Sequence, residues 1–161
     1  MPFRHTDKGW YWGSKGPFAS KAKALQVARA AYASGYKEET EMEYTIENFA
    51  AGLLHGVTNA HILHLRADTY AIHKAMGHFY SDLGDLADKY IEGYQGKYGK
   101  ITAYGSEYNP PDESPLVYMR GFMKWMETYR EFLPKDTYLK NIADEITQAI
   151  ASTVNKLAHY K

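Results

Sequence analysis

Apolar side chains recur at three- and four-residue steps in four long stretches of this chain, the spacing that gathers them on one face of an α-helix. Ile46, Phe49, Ala50, Leu53, Val57, Ala60 and His64 predict a helix from about Glu38 or Thr40 to Leu65. Ile72, Met76, Phe79, Leu83, Leu86 or Ala87, and Tyr90 predict a second from about Tyr70 to Tyr94. Ser114 and Pro115 open a third, Ser as cap and Pro in the first turn, which carries Val117, Phe122, Met123, Trp125, Met126 and Tyr129 and stops at Leu133-Pro134. The fourth runs from about Thr137 to His159 on Leu139, Ile142, Ile146, Ala149, Ile150, Val154 and Leu157.

The N-terminal stretch has a different rhythm. Aromatic residues on both sides of Gly13-Ser14-Lys15-Gly16-Pro17 predict a short β-hairpin. Ser20 then caps a helix to about Tyr32, ended by Ala33-Ser34-Gly35. The division expected is a small hairpin-helix module over residues 1–37 and a helical bundle over 38–161. The module is too small to fold alone with a substantial core, so docking on the bundle or on a partner is expected of it.

The links between the long helices favour one wiring. Arg66 to Thr69 is a tight turn and Phe132 to Asp136 another, so the first pair and the last pair of helices are antiparallel neighbours. Between the pairs lies a stretch rich in Gly, Tyr and Pro, Gln95 to Glu113, long enough to travel the length of the bundle. The expected fold class is therefore all-α: a four-helix bundle with one long crossover, the ferritin-like arrangement rather than up-down-up-down.

Composition adds exclusions. With no cysteine there are no disulfides, no thiol nucleophile and no Cys-based metal site, so any metal must be held by His and carboxylate. Residues 1–23 lack the apolar stretch of a signal peptide, and no apolar run is long enough for a bilayer; the expectation is a protein without a membrane span and not secreted by signal peptide. The zero net charge is divided unevenly. Residues 1–37 hold seven Lys and Arg against Asp7, leaving +6, and the remainder holds 12 against 18, leaving −6. A basic arm on an acidic body points to a negative partner, nucleic acid or a neighbouring subunit, unless it is a solvated terminus. Lys8, Lys15, Lys21 and Lys23 are the candidate DNA contacts, and Trp10, Tyr11 and Trp12 either stack on bases or pack on a helix.

Histidine and carboxylate concentrate on the first two long helices. At about 100° per residue, with the core direction at Ile72, His73 lies roughly 100° away, Asp88 about 160° and Glu92 about 200°. These three sit off the core, as does a small-residue flank of Gly77, Ser81 and Gly84. Glycine in a helix interior costs about 1 kcal/mol relative to alanine, and close approach of another helix is the compensation expected here. On the first helix His55 reads as polar surface. His61 is a boundary histidine or a ligand, and His64 an inward-facing imidazole or a ligand. No Glu-x-x-His pair occurs, so a di-iron centre inside one bundle is not expected.

His73, Asp88 fifteen residues on and Glu92 four beyond, with His61 or His64 upstream, resemble the metal-ligand pattern of the Dps or miniferritin branch of the ferritin-like superfamily. The resemblance implies a homo-oligomer, dimer or twelve-subunit shell, with ferroxidase sites between subunits. Iron (Fe²⁺/Fe³⁺) would be held by His61, His64, His73, Asp88 and Glu92, and DNA by the basic arm. Ile62 follows His61 and Leu65 follows His64 where that family has Trp. The phrases His61 to His64, His73-Lys74-Ala75 and Tyr94 to Gly99 are also similar to tailed-phage proteins, implying host cytoplasm or virion as the location. The alternative carried alongside is a non-enzymatic phage protein, virion-associated or used in assembly, with the bundle as an oligomerisation scaffold.

Overall fold

The computed structural model describes residues 3–12, 15–33, 44–105 and 108–160, and it is mostly helical with a small N-terminal sheet. The chain divides into two compact units, residues 1–43 and 44–161. The expected break at 37/38 and the expected helix start between Glu38 and Thr40 both lie outside the described residues.

In the first unit, β1 (Phe3–Thr6), β2 (Gly9–Trp12) and β3 (Lys15–Phe18) form an antiparallel sheet in the order β1-β2-β3. The β2–β3 pair occupies the stretch expected to form a hairpin; β1 is an addition, because Phe3 to Thr6 is too short to display an alternation of its own. The helix α1 (Lys21–Ala33) begins where Ser20 Oγ accepts a hydrogen bond from the Lys23 amide at 3.2 Å. Among the described residues of this unit, Trp12, Ala24 and Ala28 are buried. Trp12 thus packs rather than standing open as a stacking platform.

The second unit holds α2 (Ile46–Leu65), α3 (Tyr70–Tyr98), α4 (Pro115–Arg130) and α5 (Thr137–His159). Thr45 and Thr69 cap α2 and α3 by accepting from the amides of Asn48 and Ile72. α3 runs a turn beyond the Tyr94 end expected from periodicity. Within its last turn Tyr94 and Tyr98 stack at 4.8 Å, and from outside Lys97 and Tyr98 are both bonded by the Asp136 carboxylate ahead of α5. Gly99, at φ +97°, then ends the helix in a conformation only glycine adopts cheaply.

Contacts fix the direction of each helix. Along α2, Phe49 meets Tyr90 while His64 meets His73, so α2 and α3 are antiparallel. Phe49 also meets Tyr129, whereas Gly56 lies against Phe122, so α4 too is antiparallel to α2. Gly93 abuts Tyr138 and Lys89 pairs with Glu145, which makes α5 antiparallel to α3. Hence α3 and α4 point the same way, and the link between them must travel the length of the unit. It does so along α2: Ile101 is buried with Ala50 and Ile91, Tyr108 donates to Asn59 Oδ1 at 2.8 Å, and Arg66 donates to the Pro111 carbonyl at 2.7 Å. Phe49, Leu53, Met76, Phe79, Leu83, Tyr90, Met119, Met126, Leu139 and Ile146 make the common core.

Candidate metal centre

The candidate ligands fall into two groups on the second unit. His61 and His64 end α2, and His73 starts α3 across the tight turn. The two helices close on each other there through their own imidazoles. His64 Nδ1 lies 2.7 Å from the His73 carbonyl oxygen, and His73 Nδ1 lies 3.2 Å from the His64 carbonyl oxygen. A carbonyl can only accept, so each Nδ1 carries the proton and donates it. The rings stack at 3.8 Å. In the neutral form of each ring the lone pair is then on Nε2, the nitrogen through which such an imidazole binds a metal. Tyr80 completes the cluster, its ring 4.4 Å from that of His61 and 5.4 Å from that of His64.

Gly77 has a different job from the one its position suggested. A Cβ there would stand 3.0 Å from Cε1 and Nδ1 of His64, so the glycine seats this chain's own imidazole rather than a neighbouring helix. His64 is accordingly half-buried beside α3 instead of pointing into the core, while His61 and His73 are exposed. Ser81 is exposed, and at Gly84 a Cβ would meet nothing within 4 Å.

Asp88 and Glu92 are exposed on α3 itself, and a rise of 1.5 Å per residue sets Asp88 about 22 Å from His73 along the helix. One chain therefore cannot bring these acids to these imidazoles. Among the described residues no group of three or more His, Asp or Glu is gathered closely enough to hold a metal ion. A groove of Asp82, Asp85, Leu86, Glu145, Gln148, Ala149 and Ser152 lies between α3 and α5, with Lys89 paired to Glu145 at 3.4 Å on its flank.

The four lysines considered for DNA are all exposed on the first unit. Lys8 lies in the β1–β2 turn, Lys15 begins β3, and Lys21 and Lys23 stand in the first turn of α1. Lys15 and Lys21 hold their ammonium groups 5.7 Å and 5.5 Å from the rings of Trp12 and Trp10. Among the described residues no helix is long and apolar enough to cross a membrane.

Two features near the core escaped sequence reasoning. Asn59, one residue among the polar positions of α2, accepts a hydrogen bond from Tyr108 of the crossover, and burial pushes the Tyr118 hydroxyl of α4 up to about 12. The Tyr90 hydroxyl is fully buried without a hydrogen-bond partner, and burial raises its pKa far above the ordinary tyrosine value.

A protein-family model described as a family of unknown function (DUF5856) matches residues 64–157. The span takes in His64, His73, Asp88 and Glu92 and leaves out His61 and the whole first unit. No curated protein and no solved structure matches the chain.

Proposed function

The chain belongs to this family of unknown function, and on its own geometry we propose that it is a self-associating, ferritin-like four-helix bundle that binds Fe²⁺ between subunits and oxidises it. The imidazoles of His64 and His73 come from one copy, with His61 beside them, and the carboxylates of Asp88 and Glu92 from another. One observation carries the reading: the reciprocal Nδ1–carbonyl bonds of His64 and His73 hold both Nε2 atoms in the metal-binding tautomer. Each imidazole is oriented by one such bond and the two rings stack, so that in the neutral form both lone pairs sit on Nε2. Imidazole with carboxylate suits iron among the divalent metals. Bound as substrate, Fe²⁺ gives up one electron to O₂ or peroxide, and the net negative charge of residues 38–161 attracts the cation.

The basic first unit extends the reading to DNA, or to a phage structural protein, in the host cytoplasm or the virion. Contact with DNA through its lysines weakens steeply with salt.

A second reading is favoured by the filling of Gly77. Where the glycine flank serves this chain's own His64, the bundle acts as an assembly scaffold without metal chemistry. Metal content and aerobic Fe²⁺ oxidation decide between the two. Oxidation that falls at least about tenfold in His73→Ala and in Asp88→Ala/Glu92→Ala, as expected for lost metal ligands, supports the metal reading. Absence of metal uptake by the intact protein favours the scaffold.

A further inference from the structure

The exposed stripe of α3 is arranged symmetrically in charge about one residue. With Ser81 as origin and about 100° per residue, Tyr70, Lys74, Asp88 and Glu92 all fall within about 20° of its direction. All five are exposed, Tyr70 to 75%. Lys74 precedes Ser81 by seven residues and Asp88 follows it by seven; Tyr70 and Glu92 stand eleven residues away on either side. His78 and Gly84 are three residues to each side. Closer to the α2–α3 turn the stripe is cationic and aromatic, and beyond Ser81 it is acidic, with Asp85, Asp88 and Glu92.

Such a stripe is complementary to itself when reversed. We infer that two copies of the chain pair antiparallel through α3 on a two-fold axis at Ser81. The axis puts Lys74 against the partner's Asp88, and Tyr70 against the partner's Glu92, each contact occurring twice as an isologous interface requires. The parallel alternative sets Lys74 on Lys74 and Asp88 on Asp88, which charge repulsion disfavours. The crossover strap lies on α2, so it leaves this stripe uncovered. The inference deepens the proposed function, for it names the partner as a second copy and gives the register: His73 falls at the level of the partner's Lys89, between Asp88 and Glu92.

The chain has no cysteine, which makes the test direct. A disulfide spans Cα atoms about 4.4–6.8 Å apart, a separation that antiparallel helices offer only on or beside the axis. Ser81→Cys, oxidised in chelator without added metal, is expected to give a covalent dimer on a non-reducing gel, and Ser152→Cys on exposed α5 is not. In sedimentation, Lys74→Glu and Asp88→Lys should each weaken the dimer about tenfold or more, and the two together should restore it. Monomers at all concentrations, equal crosslinking at both cysteines, or a double reversal that fails to restore the dimer would overturn the pairing. A Ser81-centred dimer that never takes up or oxidises Fe²⁺ leaves the pairing standing and removes the metal reading; iron oxidation by a protein whose association ignores Lys74 and Asp88 does the reverse.

Discussion

His64 and His73 each donate a ring N–H to the other's backbone carbonyl, so the turn between α2 and α3 is closed by two side chains that leave the same nitrogen, Nε2, open. Metal-binding histidines are oriented by bonds of this kind, and the loss of such a partner costs about 10–100-fold in affinity. On the proposed metal reading, replacing His64 with Gln lowers affinity for Co²⁺ or Fe²⁺ by at least that factor. Titration followed by calorimetry is the check. Unaltered affinity removes His64 from the ligand set.

Gly77 and the His64 ring share one small volume. Alanine at Gly77 gains about 1 kcal/mol of helix propensity, but its methyl group forces the ring to give way by a few tenths of an ångström. The expected result is a melting temperature within about 3 °C of the parent, together with altered His64 ring resonances by NMR and weaker metal binding. Stabilisation with unchanged ring signals would mean that the imidazole is free to move aside.

The Asp136 carboxylate sits below the ordinary carboxylate range because Lys97 and Tyr98 both donate to it; the same contacts raise Lys97 and Tyr98 above their usual values. A depressed acid contributes stability that is complete above its unfolded pKa and fades as pH falls through the lower, folded one. The raised Lys97 and Tyr98 contribute below their ordinary values and lose that contribution as pH climbs through the raised ones. The clamp is thus strongest on the broad plateau between these limits. Asp136→Asn should flatten the acid limb of a melting-temperature profile below about pH 4 and the alkaline limb above about pH 10. A parallel offset at all pH values would assign the loss to packing instead.

Tyr90 places a hydroxyl in the core with nothing to bond, an arrangement that costs about 1–3 kcal/mol. Tyr90→Phe keeps the ring on Phe49, 5.1 Å away, and removes the penalty. Chemical denaturation should give a gain of about 1 kcal/mol. A loss of that size would reveal a partner for the hydroxyl.

Asn59 ties the crossover to α2 through Tyr108. Asn59→Ala removes this bond and should cost about 0.5–1.5 kcal/mol. Hydrogen exchange is the finer measurement, with protection expected to fall along residues 101–113 before the rest of the second unit.

The helices of this protein were legible in its sequence because their determinants are local. Threonine caps on α2 and α3, a proline in the first turn of α4 and apolar residues every third or fourth position act within one or two turns, whatever lies nearby, although the Ser114 side chain expected to cap α4 makes no capping hydrogen bond. Where a boundary was misjudged, the cause lay elsewhere in the chain: α3 outlasts its apolar periodicity because Asp136, 38 residues beyond Tyr98, grips its last turn. The candidate ligands could be named by residue type and spacing, but tertiary structure decided how they meet. Whether Gly77 admits a foreign helix or its own chain's imidazole depends on where α2 ends relative to α3, and the angle between two helices follows from side chains far apart in sequence. The same limit held for Tyr90, whose buried hydroxyl looks like any helical tyrosine until the surrounding core is assembled. Periodicity specifies which face turns inward; only packing in three dimensions specifies what that face, and its opposite, will touch.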